Sequence, residues 1–175
     1  MKKIKALIVD DELLARQRTK RLLAHAPDIE IIGECANGRA AVDFINNEVP
    51  DLLFLDIQMP ELDGFSVLQA IGIDKITSII FVTAYDQYAL RAFEMHALDY
   101  LLKPFDRKRF ESVLRRARSY IQQAQNQALN AQLHQLLQSL KAEPKSFDRF
   151  VIKSNDRVLL LKMDGPCPSV AVKSV

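Results

Sequence analysis

Five short apolar runs alternate with amphipathic stretches through the first hundred or so residues, and that alternation narrows the choice of folds more than any other feature. Ile4 to Val9, Ile29 to Glu34, Leu52 to Leu55, Thr77 to Val82 and Leu98 to Leu102 read as strands. They are short, rich in branched residues and mostly apolar at consecutive positions, as expected of strands buried on both faces. Between them, Glu12 to Ala26 fits a helix with Leu14, Leu22, Leu23 and Ala26 at helical spacing, closed by Pro27. Arg39 to Asn46 fits a second helix and Phe65 to Ile71 a third. Asp86 is placed to cap a fourth, with Tyr88, Ala89, Ala92 and Phe93 for its packed side. Strands and helices in strict alternation predict an α/β protein with a doubly wound, five-stranded parallel sheet. The commoner order for five such strands is 2-1-3-4-5.

Four of the runs end on polar residues suited to phosphate chemistry. Asp10-Asp11-Glu12 follows the first, Asp56 the third, Thr83 the fourth and Lys103-Pro104 the fifth. In a parallel sheet these ends share the carboxyl edge, where ligands of open α/β sheets sit. A lone Asp at a strand end is usually a cap or turn former, and a lone Lys a solvated charge, so the signal lies in the combination. Asp56 is the candidate nucleophile, since a carboxylate attacking phosphorus gives an acyl phosphate. Asp10 and Asp11 beside it would raise at least one pKa unless a cation intervenes. Mg2+ prefers carboxylate oxygen and also ligates phosphoryl oxygens. Lys103 supplies a further positive charge and Thr83 a hydrogen-bond donor. Phosphoryl transfer asks for little beyond positioning and neutralised charge.

The chain has 175 residues, about half of them apolar, enough for one core with an appendage. Through Phe105 there are 16 acidic against 11 basic residues, and from Asp106 onward 6 against 13. Six of the latter, Arg107, Lys108, Arg109, Arg115, Arg116 and Arg118, cluster without interleaved aromatics, which favours a solvated or dimer-facing helix over a nucleic-acid surface. Cys35 and Cys167 form neither a metal-ligand spacing nor a disulfide framework. His25, His96 and His134 have no partner spacing and are not expected to act as ligands. The first residues are too short an apolar stretch for a signal peptide or membrane span, so a cytoplasmic protein without membrane contact is expected.

Asp106 opens a helical pattern from about Arg107 to Lys141. Phe110, Leu114, Ala117, Ile121, Ala124, Ala128 and Ala131 recur in four-three steps, and Leu129, Leu133, Leu136 and Leu140 follow on a shifted face. That is a coiled-coil spacing, although the first half also suits packing on the sheet. Beyond Pro144, Phe150 to Lys153 and Arg157 to Lys162 predict a hairpin. Two strands bury no core by themselves.

Ile8-Val9-Asp10-Asp11-Glu12, Leu55-Asp56-Ile57-Gln58-Met59-Pro60 with Asp63-Gly64, Val82-Thr83-Ala84 and Tyr100-Leu101-Leu102-Lys103-Pro104 resemble the receiver domain of bacterial response regulators, over about Lys3 to Ser119. The resemblance implies the flavodoxin-like receiver fold and a phosphoacceptor role for Asp56, with a sensor histidine kinase as phosphodonor. It implies Mg2+ bound directly by Asp11 and Asp56, by Asp10 through water and by the Gln58 backbone carbonyl. Thr83 and Lys103 would hold the phosphoryl group, Tyr100 would be the switch aromatic, and the Lys103-Pro104 bond would be cis. Gln58 and Tyr85 would flank the path of attacking water.

Thr83 to Ala89 and Phe93 to Tyr100 are similar to receivers of the LytTR class, and Arg149 to Ser154 with Arg157-Val158 to the opening strands of its DNA-binding domain. The implied organisation is a receiver at 1–119, a helical linker at 120–146 and an incomplete LytTR-like domain at 147–175. From about Gly165 the sequence departs from the class pattern, so DNA is a partner of the parent architecture rather than an expected ligand of this chain.

The expected function is a phosphorylation-dependent, non-enzymatic switch that forms a homodimer. The alternative is a receiver that dimerises or titrates partners without binding DNA. A magnesium phosphohydrolase of the haloacid-dehalogenase type is disfavoured, because Gln58 stands where a second Asp would serve as general acid. A flavin binder is disfavoured by three carboxylates at the phosphate end.

Overall fold

The computed structural model describes residues 3–95, 97–141, 149–154 and 157–162. The expectations that fall on His96, Cys167 and the segment from Gly165 lie outside the described residues. Five strands form one sheet in the order β2-β1-β3-β4-β5: β1 Ile4–Val9, β2 Ile29–Cys35, β3 Leu52–Leu55, β4 Ser78–Thr83 and β5 Asp99–Leu102. All four pairings are parallel, with Leu7 opposite Leu53, Leu53 opposite Ile79 and Phe81 opposite Tyr100. The doubly wound sheet and its strand order are as the sequence predicts.

Successive strand residues point to opposite faces, and both faces are apolar. Leu7, Val9, Leu53, Leu55, Ile79 and Phe81 pack on one side under α2 (Gly38–Asn47), α3 (Gly64–Ile71) and α4 (Ala89–Glu94). Ala6, Ile8, Leu52, Phe54, Ile80 and Val82 pack on the other under α1 (Leu13–Leu23) and α5 (Arg107–Lys141). Phe54 stacks on Phe110 of α5 at 5.7 Å between ring centroids. Two half-cores, each covering one face, explain why the strands are apolar without alternation.

Helix starts follow capping chemistry. The Asn37 side chain accepts from Ala40 N at 2.8 Å, that of Asp63 from Ser66 N at 2.7 Å and that of Asp106 from Arg109 N at 2.7 Å. Each satisfies one of the free amides of a first turn. Asp86 does not cap α4. It opens a 3-10 turn, Asp86–Tyr88, and its backbone carbonyl accepts from Ala89 N. In α1, Leu23 is buried, whereas Leu14 is 77% exposed despite sharing its spacing.

The stripe of α5 divides. Phe110, Leu114, Ala117 and Ile121 are buried on the sheet, with Val113 beside them, while Leu129 and Leu133 are exposed. Two compact units meet within this helix, Met1–Ala128 and Leu129–Val175. In the second unit β6 (Arg149–Ser154) and β7 (Arg157–Lys162) pair antiparallel, with Val151 opposite Leu160. No described helix is long and apolar enough to cross a membrane.

Candidate functional site

The carboxyl ends of β1, β3, β4 and β5 bring together all the residues singled out for phosphate chemistry. Asp10 follows β1, and its carboxylate accepts from Glu12 N at 2.9 Å. Arg16 of α1 donates to the Asp10 backbone carbonyl at 2.7 Å and pins this turn. Asp56 follows β3, and its backbone N–H donates to the Val9 carbonyl at 2.8 Å, so the two acidic strand ends are held side by side. Lys103 follows β5. Its backbone N–H donates to the Thr83 carbonyl at 2.7 Å, and the Lys103-Pro104 peptide is cis, as the resemblance implies.

Lys103 Nζ lies 2.7 Å from Asp10 Oδ2 and 2.8 Å from Asp56 Oδ2, bridging two buried carboxylates. Asp11 is exposed beside them, and one carboxylate oxygen from each of Asp10, Asp11 and Asp56 lies within 4.8 Å of the others. Burial pushes the Asp10 carboxyl above the usual carboxylate range, and the hydrogen bond from Lys103 offsets part of that rise. Burial alone would lower the Lys103 ammonium, but its bonds to Asp10 and Asp56 outweigh it and hold the pKa above the ordinary value. The lysine is thus held in its charged form.

Thr83 is fully buried, and its hydroxyl has no hydrogen-bond partner among the described residues. A buried hydroxyl without a partner is disfavoured by desolvation, and this one sits at the strand end next to Lys103. Tyr100 lies inward, 9% exposed, and its hydroxyl donates to the Tyr85 carbonyl. Burial, followed by the nearby Asp86, raises its phenol pKa. A cavity of about 560 Å³ opens at this edge of the sheet, walled by Asp11, Asp56, Gln58, Tyr85, Tyr88 and Lys103 among others. The oxygen donors, hard and clustered, suit a small divalent cation such as Mg2+, and the unpartnered Thr83 hydroxyl and Lys103 suit a phosphoryl group.

Several contributors were not legible from the motifs. Gln58 N donates to Asp56 Oδ1 at 3.3 Å, and its side chain Nε2 donates to Tyr88 Oη at 3.1 Å, linking the loop after β3 to the turn before α4. Thirty residues separate that pair, and nothing local signals it. Asp99 at the start of β5 is buried and pairs with Arg109 at 2.8 Å and with Arg116. Arg107 pairs with Glu111, and Arg118 holds Asp28 through two bonds of 2.6 and 2.7 Å. Four of the six basic residues of the cluster are thus engaged within the domain. His25 Nδ1 contacts the Arg21 carbonyl and lies apart from the site.

Residues 6–115 match the family described as the response regulator receiver domain. The chain is 44% identical over 161 residues to the transcriptional regulatory protein BtsR of Salmonella typhi, covering 92% of this chain and 63% of that protein. It therefore spans somewhat less than two thirds of this relative. Among solved structures, the response regulatory domain of mrkE from Klebsiella pneumoniae superposes with a TM-score of 0.65 at 34% identity, over 69% of this chain and 99% of that one. A chain of the CheX–CheY–BeF3–Mg2+ complex from Borrelia burgdorferi superposes with a TM-score of 0.58 at 28% identity, over 63% and 86%. Sheet order, the residues gathered at its carboxyl edge and these likenesses agree, and the chain belongs to the response regulator receiver domain family.

Proposed function

We propose that this chain is a phosphorylation-dependent switch in which Asp56 accepts a phosphoryl group from the phosphohistidine of a sensor histidine kinase. The observation that carries the reading is the Asp56 carboxylate held 2.8 Å from Lys103 Nζ, with Thr83, whose buried hydroxyl has no hydrogen-bond partner among the described residues, at the end of the adjoining strand. A carboxylate oxygen of Asp56 forms the new O–P bond as the N–P bond of the donor breaks, and the electron pair leaves with the imidazole nitrogen. Asp11, Asp56, the Gln58 carbonyl and, through water, Asp10 would hold Mg2+, which would neutralise charge on the phosphoryl oxygens. Lys103 then pairs with the phosphoryl group, and Thr83 gains the hydrogen-bond acceptor it lacks. Tyr100, already directed inward, occupies the space that this movement of Thr83 releases. Binding free energy at the phosphate is thereby converted into a preference for one arrangement of the β4–α4 and β5 surface.

The phosphate is retained as a signal rather than turned over, so the chain is not an enzyme. Gln58, engaged with Tyr88, offers no second acid for a hydrolase cycle. The setting is cytoplasmic, where a kinase charged from ATP can reach Asp56. The output is proposed from the motifs of the LytTR class and from the transcriptional role in the name of the Salmonella relative: a homodimer whose parent architecture binds DNA. The CheX–CheY complex with BeF3 and Mg2+ supports the same ligand chemistry by likeness.

Intact-mass spectrometry after incubation with acetyl phosphate and Mg2+ tests the reading. One added phosphate is expected, abolished by Asp56→Asn and by omitting the metal. An unmodified chain, alongside a receiver that is modified under the same conditions, would rule out Asp56 as acceptor.

A further inference from the structure

A single guanidinium holds the two backbone carbonyls that bracket Asp11. Arg16 Nη1 of α1 donates to the Asp10 carbonyl at 2.7 Å and to the Asp11 carbonyl at 3.2 Å. Those carbonyls belong to the peptide planes on either side of the Asp11 Cα. Peptide planes are rigid, so pinning both sets the φ and ψ of Asp11 and hence the direction in which its side chain leaves the backbone. The other acidic groups of the site are fixed through their side chains. Asp10 accepts from Glu12 N and Lys103, and Asp56 from Lys103 and Gln58 N. Asp11 is exposed, and its hold on the fold runs through its backbone.

Arg16 is itself braced by β2. The register shifts there: Ala6 stands opposite Ile31 but Leu7 opposite Gly33, so Ile32 is an extra residue. The bulge brings Glu34 opposite Ile8, on the face of the sheet that α1 covers. Without it, side-chain alternation would turn Glu34 to the other face. Glu34 lies 3.9 Å from Arg16 Nε and 2.6 Å from Lys20 Nζ, one helical turn further on. The Arg16 side chain is 13% exposed, and charge-assisted bonds strengthen where water is excluded.

We propose that Arg16 is a positioning residue that presets Asp11 to receive the divalent cation, with Glu34 as its anchor. The inference rests on the metal-assisted acceptor reading. A ligand group held in advance loses less freedom on binding. Charge and position act in opposite directions here. A guanidinium beside a cation site repels the cation, so loss of its charge alone tightens binding, whereas loss of the preset carboxylate weakens it. The sign of the change separates the two.

The test measures Mn2+, as a probe for Mg2+, binding to the intact unphosphorylated chain through loss of the free-ion EPR signal. Wild type is compared with Arg16→Met, Arg16→Lys, Lys20→Met and Asp56→Asn. Arg16→Met is expected to weaken binding about 10- to 100-fold, the usual scale for a residue that orients a metal ligand. Arg16→Lys keeps the charge without the planar fork and is expected to weaken it in the same direction. Lys20→Met breaks the neighbouring pair with Glu34, touches no loop carbonyl, and should change affinity by less than about twofold. Urea unfolding shows which variants are folded at the assay temperature; if Arg16→Met is not, Arg16→Lys decides. Unchanged or tighter binding in the deciding variant would overturn the inference. So would equal weakening in Lys20→Met, which would mean general loosening between α1 and β2. Asp56→Asn locates the ion. A wild type that takes no Mn2+, or an Asp56→Asn chain that takes it equally well, fails instead on the metal site of the acceptor reading, and the role of Arg16 falls with it.

Discussion

At the scale of single residues, the site places charge and polarity where folding alone would not. Asp10 is 4% exposed and close to Asp56, and burial holds its carboxyl above the ordinary range. An acid whose pKa is raised by folding binds more protons folded than unfolded. Its ionisation therefore subtracts stability as pH rises from the unfolded value, near 3.8, through the higher folded one. Asp10→Asn is expected to stabilise the metal-free protein by on the order of 1 kcal/mol at pH 7, an advantage that shrinks as the pH is lowered through 4. Urea unfolding of both proteins across that range checks it, and an advantage that grew on acidification would contradict the sign. Thr83 yields a second expectation. Its hydroxyl is fully buried without a partner among the described residues, so Thr83→Val should raise stability by about 1 kcal/mol while removing the hydrogen bond proposed for the phosphoryl group. A variant less stable than wild type by the same unfolding assay would mean that the hydroxyl is satisfied in solution.

At the scale of elements, helix α3 shows how closely backbone approaches Asp56. Gly64 opens α3 directly over the Asp56 peptide, and a Cβ built there would lie 2.4 Å from the Asp56 carbonyl oxygen. Backbone cannot swing aside as a side chain can. Gly64→Ala is expected to destabilise the domain by about 1–3 kcal/mol, read as a lower urea midpoint, and an unchanged midpoint would refute the close approach. The motif Asp63-Gly64 was visible in the sequence, but its mechanical reason was not. The same contrast runs through the elements. Apolar runs and capping residues placed the strands and most helix starts to within a few residues, because those signals are local. Leu14 shares the spacing of Leu23, yet helical spacing does not say where a partner surface stops, and Leu14 is exposed while Leu23 is buried. Asp86 failed as a cap because a 3-10 turn intervenes before α4. The convergence of Asp10, Asp56, Thr83 and Lys103 followed from topology alone, whereas the Gln58–Tyr88 and Asp99–Arg116 pairs depend on how loops and helices settle.

At the scale of the whole molecule, the long helix carries the question of self-association. Its four-three stripe predicts a seam, but Phe110, Leu114, Ala117 and Ile121 are buried on the sheet and cannot serve a partner. Leu129 and Leu133, 55% and 49% exposed, have no cover among the described residues. Charges nearer the start of the helix are engaged internally, Arg109 and Arg116 with Asp99 and Arg118 with Asp28, which lessens repulsion between two copies. The proposed homodimer would then be held through the second half of α5, with leucines at i and i+4 as its apolar contacts. Each leucine buried at such a seam contributes about 1.5 kcal/mol, and two copies lose four of them, so replacing both with lysine should weaken association on the order of 10,000-fold. Sedimentation equilibrium of the intact chain and of the Leu129→Lys, Leu133→Lys double variant measures this directly. A dimer in the first and a monomer in the second would place the seam here. An unchanged dimer would move the interface to the receiver's own surface and make the exposed leucines irrelevant to pairing.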